Sequence, residues 1–552
     1  MFGIFISRYR EIFIGLFLYN LCLFRNQLLS LVKGDWTTIL EFKQDAVLYV
    51  SQIKLGLKGE SIYANPFWHG PLDESLIGRN YGLYLVGRLA GAVGLSLSVT
   101  FLVGVFLVSS LFYVTAYQLH SVYFQNNMVK LVLSLLFAIF IFGDFAYRPS
   151  PTQWALPFLF FSMLLFQKCY VRKDINCIVM ISLGTVLALA ILNPFYAAFA
   201  AISGLIFLLE RFRSAHKIVY ASVSIIVLTF LVGQIAEKQI IKNPSFQLID
   251  RWGLLFSHFP GALKNSSILI ALILVNSYLF LQVTQKSQTK FTLLLCLSAL
   301  ITIQQNVVSG IWWEPESHYI YLVILCTYMT ILNIFEILAK RCLEKGISKF
   351  LSLNLIALCL LLLVNNVNMS NNGILKVNNY NQILEENSFV KQISEVLSDQ
   401  TNPKDLIVKP NRFASEVAWA GLLADRKFIW DYYGGYLSGS DSEILIRYMC
   451  NLRRDFFEIS DIPKIELTQG HRFENANQHF GNWLFLGRYL NLLEDKSESL
   501  LLAREFSRIS RILPFRGEER CKEFINFRET KILTFGASGP MVNPFNANFA
   551  RG

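Results

Sequence analysis

Long apolar runs alternate with short polar links along the first two thirds of the chain. A helix that crosses a bilayer needs about 20 mostly apolar residues, and eleven runs fit or approach that length. The predicted spans are Ile12–Leu31, Val93–Tyr117, Val129–Phe142, Trp154–Phe166, Ile175–Leu192, Phe195–Leu209, Ile218–Ile235, Ser267–Leu281, Phe291–Ile303, Tyr319–Leu338 and Phe350–Val364. The pattern predicts a mainly α protein, a polytopic transmembrane helix bundle of about eleven spans over residues 1–368.

Positive charge is dense in every second link between these runs. Arg8 and Arg10 precede the first run, which predicts a cytoplasmic N-terminus and an outer loop at residues 33–80. No small-residue cleavage site follows that run, so it is interpreted as an uncleaved span. An odd number of spans places the C-terminal part on the extracytoplasmic side, and the membrane is interpreted as a bacterial inner membrane.

The pattern changes near residue 369, where an Asn-rich linker begins. Strand-like runs at 406–409 and 427–430 alternate with helix-like runs such as 415–424. Residues 369–535 are therefore predicted to form an extracytoplasmic α/β domain, and 536–552, which lack periodicity, a disordered tail. In an exported domain Cys450 and Cys521 would form a disulfide or remain as two thiols.

Composition agrees with a chain that is largely embedded in lipid. Of the 552 residues, 53% are hydrophobic and 16% charged, which is unlike an ordinary soluble protein. The formal net charge of +11 would suggest nucleic acid in a soluble chain. In a membrane protein it reflects basic loops beside anionic membrane lipids, so nucleic acid is excluded as a partner.

The first outer loop carries a site-like set of polar residues. Asp45, Tyr49 and Gln52 are spaced i, i+4 and i+7, so a helix would place an acid, a phenol and an amide on one face. They form either part of a site or the polar side of a solvated helix on the membrane surface. Arg88, which precedes a long apolar run, would anchor this loop to lipid headgroups or to a phosphate.

Two further outer loops supply candidate groups. Arg148 lies at the outer end of a predicted span, where a guanidinium either binds a phosphate in bidentate fashion or extends toward lipid headgroups. Glu314 and His318 lie in a loop that also contains two amides and two tryptophans. Interfacial aromatic belts account for the tryptophans but not for His318, which is predicted to line the cavity of a site.

Motifs of soluble catalysts are missing from the sequence, which has no glycine-rich phosphate loop, CxxC pair, HExxH or GxSxG. What remains is an acid on an outer loop with cations at the outer surface. This pattern is typical of chemistry on a lipid-carried phosphate, in which a carboxylate deprotonates an acceptor hydroxyl and cations bind the departing phosphate.

With Asp45 in the first outer loop, many alternating spans and an exported C-terminal part, the chain resembles the GT-C class of polytopic glycosyltransferases. Two short motifs are also similar to uncharacterised bacterial members: Asp45, Tyr49, Gly56 and Gly59, and then Gln304 or Gln305, Gly310, Pro315 and His318-Tyr319.

The resemblance implies a polyprenyl-phosphate-linked sugar as donor and a glycan, lipid or protein acceptor. It implies that Asp45 acts as general base or helps to hold a divalent metal. Gln44 stands where protein mannosyltransferases of the class have a second acid.

The sequence therefore predicts an extracytoplasmic glycosyltransferase. Asp45 is expected to be catalytic, with Arg88 and Arg148 at the donor phosphate and Tyr49, Gln52, Glu314 and His318 at the cavity. The alternatives are a flippase for a lipid-linked glycan, a polysaccharide polymerase or ligase, and an inactive member of the class. A flippase would carry polar residues along its spans, whereas the sequence concentrates polarity in outer loops.

Overall fold

The structure is a computed structural model and describes a defined part of the chain. The described residues are 2–32, 46–62, 64–67, 80–124, 126–142, 151–211, 255–256, 263–282, 286–305, 307, 311–312, 316–344, 379–408, 414–428, 530–536 and 539–544. Asp45, Arg148 and Glu314, the predicted spans 218–235 and 350–364, and both Cys450 and Cys521 lie outside them.

The described part of the chain is mainly α-helical, which confirms the predicted class. Its helices are α1 (Phe2–Leu23), α2 (Arg25–Val32), α3 (Ala46–Lys58), α4 (Tyr81–Ala92), α5 (Leu97–Tyr123), α6 (Asn127–Phe137), α7 (Pro151–Arg172), α8 (Ile175–Leu192), α9 (Pro194–Arg211), α10 (Leu263–Gln282), α11 (Lys286–Ile303), α12 (Glu316–Glu344), α13 (Asn379–Gln400) and α14 (Ala414–Ala424). A short π-helix, Ala138–Phe142, continues α6.

Among the described residues, four helices are long and apolar enough to cross a membrane by length and composition. They lie within α5, α7, α10 and α12, at Leu97–Tyr123, Gln153–Arg172, Leu263–Leu281 and Tyr319–Leu338. Helix α10 also exposes Leu274, Tyr278 and Leu281 in one i, i+4, i+7 row. Such a row is unfavourable in water and suits a helix in contact with lipid.

The chain divides into two compact units, each of which combines segments that are distant in sequence. Unit 1 comprises Met1–Ile39, Ser98–Ala236 and Phe256–Tyr380, and unit 2 comprises Leu40–Leu97, Glu237–Leu255 and Asn381–Gly552. Most of the predicted outer loop, from Leu40 onward, thus groups with the C-terminal part of the chain, whereas the sequence assigns it to the domain at 1–368.

The core of unit 1 is built by aromatic side chains from successive apolar helices. The rings of Phe112 on α5 and Phe142 in the π-helix stack with centroids 4.8 Å apart, and Phe137 stacks on Tyr328 of α12 at 3.7 Å. Helices α7, α8, α9 and α11 pack beside one another in the same unit. Offset stacking of this kind adds about 0.5–1.5 kcal/mol per pair to the burial of the rings.

Helices α3 and α4 of unit 2 pack with their backbones in close contact. A Cβ on Gly87 would lie 2.0 Å from the carbonyl oxygen of Ile53, and one on Gly56 would lie 2.2 Å from that of Tyr84. Gly87 and Gly91 are four residues apart on α4, the spacing by which small residues let two helices approach. Glycine is therefore required at this contact because any side chain would separate the helices.

The remaining part of unit 2 contains α13, α14 and a small sheet formed by β3 (Leu406–Val408), β4 (Thr530–Gly536) and β5 (Gly539–Pro544). Two shorter strands precede them in the chain, β1 (Leu255–Phe256) and β2 (Ile311–Trp312), and β2 lies in unit 1. Strands β3 and β4 are parallel, and β4 and β5 are antiparallel with Gly536 opposite Gly539.

Two sequence-based predictions in this region are met by the structure, and one is wrong. The predicted strand at 406–409 and the predicted helix at 415–424 correspond to β3 and α14. The predicted disordered tail, in contrast, contains β5. Pairing with β4 supplies the hydrogen bonds of this strand, and the tail has no sequence periodicity from which the strand could be predicted.

Candidate functional site

The structure distributes the predicted site residues over several elements. Tyr49 and Gln52 lie on α3, Arg88 lies on α4, and His318 lies in the first turn of α12. Helix α3 begins at Ala46, directly after Asp45. Tyr49, Gln52 and Arg88 belong to unit 2. They are the predicted site residues that lie on the packed helices α3 and α4.

Helix α3 is a core helix rather than a surface helix. Nine of its thirteen residues are buried, including Val47, Ile53 and Leu55, and its burial extends over more than one face. A helix lying solvated on a membrane would keep one face polar and exposed. The alternative of a solvated surface helix is therefore wrong, because apolar residues surround the polar positions that suggested it.

Gln52 is an unusual residue of this helix. Its side chain is 1% exposed, yet neither its amide nitrogen nor its amide oxygen has a hydrogen-bond partner among the described residues. Leaving a buried amide unpaired costs about 1–3 kcal/mol for each unsatisfied group. Tyr49, one turn away on α3, is only partly buried. The predicted polar face of α3 thus has an amide oxygen and an amide nitrogen available in an apolar setting.

The C-terminal end of α3 is closed by a glycine next to Arg88. Gly59 has a φ of 69°, and Glu60 donates its backbone N–H to the carbonyl of Leu55 at 3.0 Å, which together form a Schellman ending. A Cβ on Gly59 would lie 2.5 Å from Nη1 of Arg88. Glycine is therefore required here for two reasons: it adopts the left-handed turn, and it leaves room for the guanidinium.

Arg88 itself is exposed and forms no ion pair with another described residue. A guanidinium in this state presents its donors to solvent or to an anion, and its planar shape matches a phosphate in bidentate geometry. Arg88 thus has the exposure that its predicted role requires.

A cluster of charges connects α3 with the end of α14 inside unit 2. Asp425 lies 3.0 Å from Nζ of Lys54 through its Oδ1, and its Oδ2 pairs with Lys58. Lys58 and Lys427 also approach Glu60, at 3.8 and 4.0 Å. The two lysines of α3 lie one helical turn apart, which lets one carboxylate bind both.

Burial and pairing act in opposite directions on this cluster. Burial lowers the pKa of Lys54 to about 8, although the charge of Asp425 opposes the change. Burial alone would raise the pKa of Asp425, but hydrogen bonds and charges from Lys58 and Lys54 outweigh it and lower that pKa to about 2. The lysine side chain is 12% exposed and the carboxylate 42%. Desolvation therefore determines the pKa of Lys54, and pairing determines the pKa of Asp425.

The conformation of Asp425 follows from the way α14 ends. Its φ is 60°, a left-handed value that Asp tolerates better than most residues, and Arg426 donates its backbone N–H to Gly421 at 2.8 Å. Lys54 also donates to the carbonyl of Leu422, in the last turn of α14. A cation at the negative end of the helix dipole stabilises that end.

Arg426 then fixes α14 to the end of α13. Its Nε donates to Oγ1 of Thr401 at 2.7 Å, and its terminal nitrogens donate to the carbonyls of Thr401 at 2.6 Å and Ser398 at 3.2 Å. Sequence analysis missed this contact and the Lys54–Asp425 pair, because the partners lie far apart in the chain and no spacing rule connects them.

The helices of unit 1 carry buried polar side chains that the sequence-based interpretation placed chiefly in loops. Asn276 on α10 donates to Oγ1 of Thr330 on α12 at 2.7 Å, and Asn333 donates to Oγ1 of Thr292 on α11 at 2.8 Å. Polar groups are therefore also present inside these helices, in addition to the outer loops in which the sequence concentrates them. In an apolar setting such hydrogen bonds connect helices, since each polar group needs an internal partner.

A second polar group in unit 1 includes a fully buried histidine. Nδ1 of His120 on α5 lies 2.7 Å from Oγ of Ser134 on α6, and Ser134 donates its own hydrogen to the carbonyl of Lys130 at 2.6 Å. The Nδ1 of His120 is consequently the donor to Ser134, and its Nε2 accepts from the hydroxyl of Tyr328. The arrangement defines one neutral tautomer.

The described residues include one disulfide. Within the described ranges there is no group of three or more His, Cys, Asp or Glu side chains arranged to hold a metal ion. Cys169 and Cys177, at the α7–α8 turn, form a disulfide with Cα atoms 5.7 Å apart.

Comparison with known proteins gives no family assignment. No family model matches the chain, and no curated protein matches it.

Proposed function

We propose that the chain is a multi-pass membrane glycosyltransferase with about eleven spans and an extracytoplasmic C-terminal α/β domain. In this proposal it transfers a sugar from a polyprenyl-phosphate donor to a glycan, lipid or protein acceptor on the extracytoplasmic side of a bacterial inner membrane. The resemblance to the GT-C class in the sequence suggests this activity, and four helices long and apolar enough to cross a membrane agree with its setting.

One observation supports the proposed site more than any other. The segment that follows Asp45 is the buried helix α3, which is fixed to α4 by close glycine contacts and to α14 by Lys54 and Lys58. A catalytic group needs a rigid support, since a displacement of about 1 Å costs about 100-fold in rate. Asp45 directly precedes this helix in the sequence, which is what supports its assignment to the site.

The chemistry assigns a role to each predicted residue. Asp45 accepts the proton of the acceptor hydroxyl while the hydroxyl oxygen forms a bond to the anomeric carbon of the sugar. The bond between that carbon and the phosphate oxygen breaks, and the electron pair leaves with the polyprenyl phosphate. Arg88 and Arg148 balance the negative charge that grows on the phosphate. Gln52 offers hydrogen bonds to sugar hydroxyls, and Tyr49, Glu314 and His318 line the cavity.

The proposal is tested by substitution at Asp45 in the full-length protein. Membranes containing the Asp45→Asn variant are incubated with radiolabelled polyprenyl-phosphate sugars, and labelled products are separated from the donor. We expect transfer to fall at least 100-fold, because general-base catalysis typically contributes 10²–10⁴-fold.

The matched control is Asp174→Asn, which changes a carboxylate that caps α8 by accepting from the backbone N–H of Cys177 at 3.0 Å. This variant should retain transfer because asparagine also caps helices. Undiminished transfer by Asp45→Asn would remove Asp45 from the mechanism. Normal membrane amounts of both variants establish that folding is not the cause of a loss.

The carrier for a lipid-linked glycan is a second candidate, and one observation favours it. Buried amides and hydroxyls on α10, α11 and α12 connect apolar helices, as expected where polar groups line a transport route. Reconstituted vesicles discriminate between the two functions. A carrier moves the labelled lipid to the other leaflet without forming a covalent product, whereas a transferase forms a product whose mass has increased by one sugar.

A further inference from the structure

Helix α4 has the opposite arrangement of side chains to a helix on the surface of a soluble protein. Its exposed side carries Tyr81, Leu85 and Leu89, spaced four residues apart, followed by Val93 at the cap; they are 41%, 45%, 72% and 71% exposed. A soluble surface helix buries its large apolar residues and exposes polar ones. The large apolar residues of α4 therefore face a surrounding that is not water.

The side of α4 that packs inside unit 2 is built mainly from small residues. Gly82, Gly87 and Ala90 are buried together with one large residue, Leu83, and Gly87 and Gly91 contact the backbone of α3. Small residues inside and large residues outside are the usual distribution in helices surrounded by lipid, where outward apolar groups cost nothing.

The chain connection limits how far α4 can lie from a membrane. Residues 93–96 separate the end of α4 at Ala92 from the start of α5 at Leu97. The five Cα–Cα steps from Ala92 to Leu97 span at most about 18 Å. Helix α5 is one of the helices long and apolar enough to cross a membrane, so the C-terminal end of α4 is tied by a short link to such a helix.

Charge agrees with the same surrounding. Arg88 lies at one edge of the apolar row, three residues after Leu85, and has no ion-pair partner among the described residues. An arginine beside an apolar row matches the phosphate of a lipid headgroup, while the apolar side chains reach the acyl boundary.

We propose that α4 is an interfacial helix that docks on the bilayer, with the row formed by Tyr81, Leu85, Leu89 and Val93 inserted at the acyl boundary and Arg88 bound to lipid phosphate. This assignment does not depend on the transferase proposal. It makes α4 a membrane-anchored element, so that α3, which packs on α4, is held close to the level at which a lipid-linked phosphate would lie.

The test uses the full-length protein in vesicles of phosphatidylethanolamine and phosphatidylglycerol. Leu89→Cys is labelled with an environment-sensitive thiol dye, and the parent protein, which has nine cysteines, is labelled in parallel and subtracted. Gln392→Cys, at an exposed position of α13 in the same unit, is the matched control. Both positions are exposed, so neither substitution removes a core contact.

We expect lipids with a nitroxide on the acyl chain to quench the label at position 89 at least twofold more than the label at position 392. Aqueous iodide should quench in the opposite order. Quenching of both labels by iodide alone would overturn the proposal. A blue-shifted label at position 89 that resists both quenchers would also overturn it, because a protein partner would then cover the row.

The contribution of Arg88 is measured separately. In the Leu89→Cys background, Arg88→Gln should weaken the increase in nitroxide quenching that accompanies a larger fraction of phosphatidylglycerol. An unchanged dependence on anionic lipid would remove the arginine from the docking surface. Iodide and nitroxide quenching at position 392 should be the same with and without Arg88→Gln, which controls for a change in overall folding.

Discussion

The Lys54–Asp425–Lys58 cluster gives the most direct test of how unit 2 is stabilised, through the substitution Asp425→Asn. Asparagine tolerates the left-handed conformation at this position, so the Schellman ending of α14 is retained. The substitution removes the charge while it keeps the shape and size of the side chain. Any change in stability therefore reports the ion pairs and not the backbone.

The magnitude follows from the pKa of Asp425. A decrease from the ordinary 3.8 to about 2 corresponds to about 2.4 kcal/mol if it acts in full. Because 42% of the side chain is exposed, solvent screening reduces this to about 1 kcal/mol. Lys54, 12% exposed, loses its main compensating charge in the variant. We therefore expect a total cost of about 1–2 kcal/mol at pH 7.

The pH dependence gives the result its sign. The pKa of Lys54 in the folded protein, about 8, is below its ordinary 10.5, so the unfolded chain binds this proton more tightly. Stability consequently rises as pH increases from about 8 to 10.5. Asp425→Asn lowers the pKa of Lys54 further, so the pH range over which stability rises begins at a lower pH. The penalty should thus be largest at pH 7 and smaller at pH 9, where Lys54 is mostly neutral in both proteins.

Hydrogen exchange of α3 and α14 in the purified full-length protein measures this cost. At pH 7 a loss of about 1 kcal/mol makes local opening about fivefold more frequent, and rates at pH 9 are corrected for the intrinsic chemical rate. Amides of α10 in unit 1 serve as the internal control. In a Lys54→Met background the effect of Asp425→Asn should be smaller. Equal penalties at both pH values and in both backgrounds would refute the coupling of the buried lysine to the carboxylate.

Three further substitutions test other contacts. Gly87→Ala should separate α3 from α4 and lower the thermal unfolding temperature of the detergent-solubilised protein. Gly184→Ala in α8, where an added Cβ meets nothing within 4 Å, should leave it unchanged or raise it slightly. Asn276→Ala should cost about 0.6–2 kcal/mol in the same measurement, because it leaves Thr330 without its interhelical donor. Arg426→Lys should accelerate hydrogen exchange at the end of α13 several-fold, since lysine cannot reproduce the guanidinium contacts to Thr401.

Apolar runs predicted the four helices of the described residues that are long and apolar enough to cross a membrane, but not their boundaries. The predicted span at 154–166 lies within the longer α7, Pro151–Arg172, because polar and proline residues at its ends continue the helix. Helix α4 was missed because Gly82, Gly87 and Gly91 lower intrinsic helix propensity. Packing against α3 stabilises α4, and that packing is itself possible only because the residues are small.

The candidate site was predictable in part for a different reason. Tyr49 and Gln52 were found because spacing along one helix can be read directly from a sequence. Their burial could not be predicted, since it depends on segments such as α14 that are distant in the chain. The same applies to Asp425, whose partners on α3 precede it by more than half of the sequence.

The buried amide of Gln52 connects these observations. A core position that only needed to fill space would be occupied by an apolar residue, which has no desolvation cost. Gln52 instead lies on a helix whose Val50, Ile53 and Leu55 are also buried, and both ends of its amide are unpaired among the described residues. The close glycine contact of α3 with α4 and the ionic contact with α14 hold it in that costly position. Unpaired donors and acceptors on a rigid helix, next to a carboxylate in sequence, are what recognition of a polyhydroxylated ligand requires. If α3 has a purely structural role, Gln52→Leu should raise stability and leave donor binding unchanged. If α3 binds a sugar, the same substitution should raise stability and abolish binding of the donor.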